Sequence, residues 1–318
     1  MKIEIQRAEA QRLRNLYGSA YMMIAMFCFV ANDALVRSVG TELPTTQIMF
    51  LRGLFVVFLI TLVLFYRANR LRSQQTSGAI EATPLSSQFK AAVSPIVLAR
   101  SLLDLAGTFA FLYALIRMPF ANVAAVLQCL PLIVTLGAAL FFREKVGIWR
   151  WSAIVVGFIG VLIILRPGVS GFSVASLWLL VTVLLSAGRD LLSRSLPPNI
   201  PTMMVTLSTA ATIMLGGLLI GVLSGNWSYP NLDHLWKLAI AAVFLFGAYH
   251  FIVLTMRTGE TGFVSPFRYT SLLWAGLAGW LVFEEIPDSF TVIGSLIVVS
   301  MGLLTLHREN RIRKASNP

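Results

Sequence analysis

The chain alternates long apolar runs with short polar or proline-marked joints. The runs cover 16–38, 45–66, 93–116, 120–142, 148–166, 173–196, 202–224, 235–256, 262–283 and 289–307. Each is about 20 residues long, the length at which an α-helix crosses the hydrocarbon core of a bilayer. Backbone polar groups in lipid must be paired within their own segment, so helices are the spanning solution at these lengths. Breakers mark the joints: Pro44, Pro119, Pro167, Pro197, Pro198, Pro201, Pro230 and Pro287. The first run follows Arg12 and Arg14 and so imitates a signal peptide, but further spans follow it, and it reads as the first membrane helix. The pattern predicts an all-α integral membrane protein with ten transmembrane helices.

Composition agrees with this pattern. Of 318 residues, 57% are hydrophobic and only 12% charged, with a mean hydropathy of +0.79. Soluble proteins carry about 25% charged residues. The net charge of +11 raises nucleic acid as a partner. Its distribution points elsewhere: with a cytoplasmic N-terminus, 17 Lys and Arg fall on inside segments and 4 on outside ones. That bias is the signature of topology in a membrane, with both termini cytoplasmic, and leaves no case for nucleic acid. Cys28 and Cys129 both lie in apolar runs and form neither a disulfide framework nor a metal-ligand pattern. No metal or cofactor is expected.

One charged hexapeptide occurs twice: "DALVRS" from Asp33 and "DLLSRS" from Asp190, 157 positions apart. The same offset aligns Pro44-Thr45 with Pro201-Thr202. Further along, an offset of 140 aligns Gly107 with Gly247, Arg117 with Arg257 and Gln128 with Arg268, and it drifts to 141 at Glu144 and Glu285. The offset falls by 17 residues, which fits an insertion in the polar loop 67–92. Spans 1–5 therefore match spans 6–10. Five is odd, so the second copy crosses the membrane in the opposite sense. Two inverted five-helix repeats are the mark of many secondary transporters, whose substrate sites lie near the midplane between the halves. The expected divisions are a cytoplasmic tail 1–15, a first repeat 16–168, a second repeat 169–308 and a basic cytoplasmic tail 309–318.

Two segments carry a family resemblance. They are "ANVAAVLQCLPLIVTLGAALFFREKVGIWRWSAIVVGFIGVLIILRPG" (121–168) and "TGFVSPFRYTSLLWAGLAGWLVFEEIPDSFTVIGSLIVVSMGLLTLHRE" (261–309). In each, a helix rich in small residues ends in aromatic-x-Glu, and a glycine-containing helix follows. With Asp33 and "QIMFLRGLF" (47–55), the chain resembles the EamA branch of the drug/metabolite transporter superfamily over nearly its whole length. The resemblance implies a carrier of the bacterial inner membrane. Its members move amino acids, amines, vitamins, nucleotide-like metabolites or drugs, inward or outward.

An ionisable residue inside a span costs several kcal/mol and is a functional candidate by default. Arg268 lies about 9 Å into span 9 at 1.5 Å per residue. Its repeat mate is Gln128, and Pro266 and Pro131 lie beside the two, where freed carbonyls can face a cavity. Arg100 and Asp104, spaced i,i+4 on span 3, are expected to pair. Arg52 is read as either buried or snorkelling to the surface. Arg189 and Asp190 are adjacent and point about 100° apart, which argues against one local pair. His250 is a candidate proton carrier, and Tyr113, Tyr249 and Trp274 are candidates for lining a pocket. "GAAL" (137–140) and "AGLAG" (275–279) read as close helix packing.

The candidate substrate-binding set is thus Arg268, Gln128, Arg100, Asp104, Tyr113, Tyr249, His250 and Trp274. The candidate gates are two i,i+4 bridges, Asp33 with Arg37 and Asp190 with Arg194. The arginines favour an anionic or zwitterionic small molecule. A coupling proton is a further candidate partner, carried by Asp33, Asp190 or His250. No phosphate-binding loop is present, and the three histidines are scattered, which disfavours an ATP-driven pump and a membrane enzyme. A passive channel or a non-transporting membrane partner on the same scaffold stays open, as does the oligomeric state.

Overall fold

A computed structural model describes residues 2–75, 92–143, 147–167, 173–197 and 200–316. Its helices are α1 (Lys2–Val39), α2 (Thr45–Gln75), α3 (Pro95–Arg117), α4 (Phe120–Leu127), α5 (Leu130–Phe141) and α6 (Ile148–Leu165) in the first half. The second half holds α7 (Val174–Arg194), α8 (Thr202–Ser224), α9 (Leu232–Thr258), α10 (Thr261–Val264), α11 (Thr270–Phe283) and α12 (Ser289–Ser316). Among the described residues, nine helical stretches are long and apolar enough to cross a membrane. Span 9 is the exception, because a 3-10 segment, Ser265–Tyr269, separates α10 from α11.

The outermost helices run past the predicted spans. α1 begins at Lys2 rather than 16, α2 continues to Gln75 and α12 to Ser316. The charged ends contain good helix formers such as Glu, Gln, Arg and Ala and no proline, so nothing stops the helix at the membrane boundary. Most of the expected 67–92 loop, from 76 to 91, and the last two residues of the basic tail lie outside the described residues.

Helix-breaking chemistry recurs at one repeat position. Span 4 is interrupted between α4 and α5 at Gln128-Cys129, and span 9 at the 3-10 segment that ends in Arg268-Tyr269. A proline sits at the start of the element after or within each break, Pro131 and Pro266. Proline removes an N–H donor and crowds the preceding turn, which explains why both spans break there. A second local match follows. Arg143 (φ 53°) and Glu284 (φ 56°), 141 positions apart, both take the left-handed conformation just after their spans. That conformation is uncommon for residues other than glycine.

Helix packing repeats in the same way. α1 packs on α9, and its repeat mate α7 packs on α3. α3 also meets α8, and α9 meets α2. α1 lies against α11, and α7 against α5. Three further pairs, α2 with α8, α4 with α11 and α6 with α12, each join a span to its own mate. Exchanging every span for the one five places along maps these named contacts onto one another, as a pseudo-twofold relation between the halves requires. The α6–α12 contact is backbone to backbone: a Cβ on Gly294 would lie 2.6 Å from the Gly160 carbonyl oxygen. Only glycine permits that approach.

The halves differ in how tightly the two ends are packed. Val36, Val39 and Leu43 are 0%, 0% and 3% exposed, within a cluster that includes Leu112, Leu115, Met118 and Phe120. Their repeat mates at the opposite end, Ser193, Leu196 and Ile200, are all half-exposed. The bundle is thus closed at the end that carries Arg37 and looser at the end that carries Asp190.

Candidate functional site

A cavity of about 510 Å³ lies between the repeats, walled by spans 1–4 and 6–9. Spans 5 and 10 contribute none of its lining and pack on each other. Repeat mates face it together: Asn32 with Arg189, Asp33 with Asp190, Arg52 with Thr209, Gly53 with Ala210, and Gln128 with Arg268. The duplication therefore built the cavity wall twice, from both sides of the pseudo-twofold axis. Four arginines (Arg52, Arg100, Arg189, Arg268) and three aspartates (Asp33, Asp104, Asp190) line it, an excess of one positive charge.

Arg189 organises the acids. Its Nη1 donates to Asp104 Oδ1 at 2.8 Å and its Nε to Asp190 Oδ1 at 2.9 Å, so one guanidinium holds two carboxylates on two helices. This corrects two expectations. Arg189 and Asp190 do pair despite their angular separation, because the guanidinium reaches back from its own stem. Asp104 takes its hydrogen bond from Arg189 rather than from Arg100. Arg100 instead donates from Nε to Ser193 Oγ at 2.8 Å and from Nη1 to Thr209 Oγ1 at 2.7 Å, reaching α7 and α8. The α3–α7 packing brings Arg189 to Asp104, which sequence spacing alone cannot anticipate.

The other two arginines are not so engaged. Arg52 is 8% exposed and shares the cavity wall with Asp33, with no hydrogen bond or ion pair among the described residues. Arg268 sits at the end of the 3-10 break, exposed to the cavity and likewise without such a partner among them. Beside it, Gln128 Nε2 donates to Ser271 Oγ at 2.6 Å, linking the two broken spans. Tyr249 also faces the cavity, edge-on to Phe29 at 5.5 Å.

The gate pairings differ from those the hexapeptides implied. Arg37 does not turn back to Asp33. Its Nη1 and Nη2 donate to Glu285 Oε2 and Oε1 at 2.8 and 2.6 Å, a two-point pair between the first helix and the loop before the last. Glu285 Oε2 also accepts the Phe120 N–H at 2.8 Å, and the guanidinium lies 4.3 Å from the Phe283 ring centre. The "DALVRS" motif therefore meets the second aromatic-x-Glu motif. Partial burial pushes the Glu285 carboxyl up, but the hydrogen bonds from Arg37 and Phe120 and the Arg37 charge outweigh it and hold the group below the usual carboxylate range. Asp33 accepts from Asn32 Nδ2 at 2.8 Å. Asp190 is held by Arg189, while Arg194 lies exposed in the last turn of α7.

Of the expected set, the structure brings Arg268, Gln128, Arg100, Asp104, Tyr249, Asp33 and Asp190 to one cavity. Besides the gate arginines Arg37 and Arg194, three candidates lie elsewhere. Tyr113 packs on Trp178 and carries Arg117 over its ring at 3.8 Å. His250 is exposed on α9 beside Phe251. Trp274 sits edge-on to Phe27 at 5.5 Å, in the packing behind the wall. Thr209, Asn32 and Ser271 were not singled out from the sequence. Extending the 157-residue offset from the hexapeptides to their neighbours finds two of them, as the mates of Arg52 and Arg189.

The model of the EamA-like transporter family matches residues 16–166 and 173–306, one match per repeat. A riboflavin transporter of Vibrio cholerae is 29% identical over 314 residues, covering 95% of this chain and 97% of that one. An S-adenosylmethionine uptake transporter of Rickettsia bellii is 23% identical, covering 92% and 94%. A pseudopaline exporter, CntI, of Pseudomonas aeruginosa is 24% identical, covering 89% and 93%. A solved crystal structure at 15% identity shares the fold, with a TM-score of 0.61 over 93% of this chain and 98% of that one.

Proposed function

The chain belongs to the EamA-like transporter family, and from that premise we propose that it is a secondary transporter working by alternating access. Its cargo on this reading is a small anionic or zwitterionic organic metabolite. One observation carries the reading: the repeat interface holds a cavity, closed at the Arg37 end, whose wall has more arginines than aspartates, and among the described residues Arg268 and Arg52 hold no anion of their own by direct contact. A guanidinium presents a planar fork that fits a carboxylate or phosphate. Relatives named for riboflavin, S-adenosylmethionine and pseudopaline support a small organic metabolite as cargo.

The geometry supplies the parts that alternating access needs. The cavity is roofed at the Arg37 end by packed apolar side chains and by the Arg37–Glu285 pair. With both termini cytoplasmic, as the Lys and Arg bias favours, that end faces outward and the conformer is inward-facing. Rocking of one repeat against the other would break this pair and close the opposite end. The breaks in spans 4 and 9 lie beside Gln128 and Arg268, so both cargo and moving backbone meet at the same level.

A thermal-shift screen of purified protein against amino acids, nucleotides, vitamins and amines tests the cargo class. Anions or zwitterions should stabilise the protein, and the shift should vanish in Arg268→Ala. Stabilisation by cations alone, or undiminished in Arg268→Ala, would count against the reading.

A further inference from the structure

Three carboxylates line the cavity, and one is held differently from the others. Asp104 and Asp190 both accept from Arg189. Arginine has donors and no acceptor, so it suits a carboxylate and gives a carboxyl O–H nothing to donate to. Asp33 takes its hydrogen bond from Asn32 Nδ2 at 2.8 Å. Asn32 stands at the position that the repeat gives to Arg189. An amide differs from a guanidinium in that it also accepts.

That second capacity is unused. Asn32 is 1% exposed, and its Oδ1 is buried with no hydrogen-bond partner among the described residues. Buried acceptors are nearly always paired in folded proteins. A protonated carboxyl carries the missing donor: its O–H can donate to the amide oxygen while the amide N–H donates to its carbonyl oxygen. A carboxylate cannot. Arg52 on α2 shares the cavity wall with Asp33, and its charge acts on the carboxyl. Arg52 in turn feels Asp33, Tyr249 on α9 and Asp104 on α3. The other charged groups of the wall are Arg100 on α3, Asp190 and Arg189 on α7, and Arg268 on the 3-10 segment.

We propose that Asp33 is the proton-binding carboxylate of the carrier, and that an anionic cargo group takes over Arg52 and leaves Asp33 to be protonated beside Asn32. The proposal rests on the transporter reading above. One proton and one anionic group then occupy the cavity together. The carboxylate takes one H⁺ from water on the side to which the cavity opens and returns it to water on the other side as the cargo leaves. No other bond forms or breaks. Asp104 and Asp190 stay paired with Arg189, which offers a carboxyl proton no acceptor.

Infrared difference spectroscopy of the protein in lipid, titrated by pH without any cargo, tests this directly. The carbonyl stretch of a protonated carboxyl should titrate in the wild type, disappear in Asp33→Asn and persist in Asp190→Asn. Arg52→Gln removes the cation as a bound anion would neutralise it. It should move the band to higher pH by about one to three units, the range for a close opposite charge; Arg52→Lys should not. Thermal melts of each variant establish folding, and the contrast between Asp33→Asn and Asp190→Asn keeps the test open if Arg52→Gln fails to fold. A band that survives in Asp33→Asn, or a midpoint that Arg52→Gln and Arg52→Lys share with the wild type, overturns the proposal. The band needs no transport. If it behaves as stated while proteoliposomes move no metabolite, the proton site stands and the carrier reading falls. If metabolites move and the band is independent of Asp33, the carrier reading stands and the proton site falls.

Discussion

Replacing Glu285 by glutamine should open the Arg37 end. The carboxylate accepts two bonds from Arg37 and one from the Phe120 N–H, at 2.6–2.8 Å. Glutamine keeps the shape and one acceptor but loses the charge and the two-point fit. A hydrogen bond to a charged group contributes about 1.5–3 kcal/mol, while an exposed ion pair contributes about 0.2–1 kcal/mol. Side-chain exposures of 12% for Arg37 and 31% for Glu285 place this pair between those cases. A net loss of about 2 kcal/mol follows, which is about a 30-fold shift toward the open form at 1.4 kcal/mol per decade. The readout is a cysteine at Leu43, which is 3% exposed in the packed roof. In a background with Cys28 and Cys129 replaced, a membrane-impermeant maleimide applied from outside should label it about 30-fold faster in Glu285→Gln. Arg37→Gln should match it, and the double variant should add little, because both remove one interaction. An unchanged labelling rate, or fully additive single effects, would refute the assignment of this pair as the closure.

Acid should loosen the same closure. The Glu285 carboxyl is held below its usual range, so its contribution is complete above the ordinary glutamate value of about 4.3 and is lost as pH falls through the depressed value. A spin label at position 43 should therefore report the same mobility from neutral pH down to about 5 and rising mobility below about 4. Arg189→Met should leave Asp104 and Asp190 without their shared cation. A buried pair broken from one side costs about 3–5 kcal/mol, so the melting temperature should fall sharply and recover in part when Asp104→Asn is added. Gly294→Val would drive a side chain against the Gly160 carbonyl, 2.6 Å from the new Cβ. Overpacking of this kind costs about 1–3 kcal/mol, and a thermal melt should show it with the cavity residues intact.

Much of the fold could be read from apolar runs and breakers, because a bilayer allows few solutions. The repeat was visible through charged and proline matches, and the breaks in spans 4 and 9 fall where Pro131 and Pro266 stand beside Gln128 and Arg268. Pairing was less legible. Spacing of i,i+4 says which side chains can meet along one helix, but it does not say which charge another helix brings closer. Arg37 therefore went to Glu285, 248 positions away, and Asp104 to Arg189. Tyr113, His250 and Trp274 were chosen by residue type. Each has a face that packs equally well outside a cavity, and type alone does not fix the face. Asn32 left no mark of its own in the sequence. It gains meaning only as the mate of Arg189 and through its buried oxygen, unpaired among the described residues.

The central claim is that the cavity between the repeats carries the cargo. Counterflow in proteoliposomes tests it most directly, using the compound that gives the largest thermal shift in wild-type protein. Wild-type protein should exchange it, and Arg268→Ala, folded by thermal melt, should lose the exchange. Undiminished exchange in Arg268→Ala, or none by the wild type with that bound compound, would contradict the account.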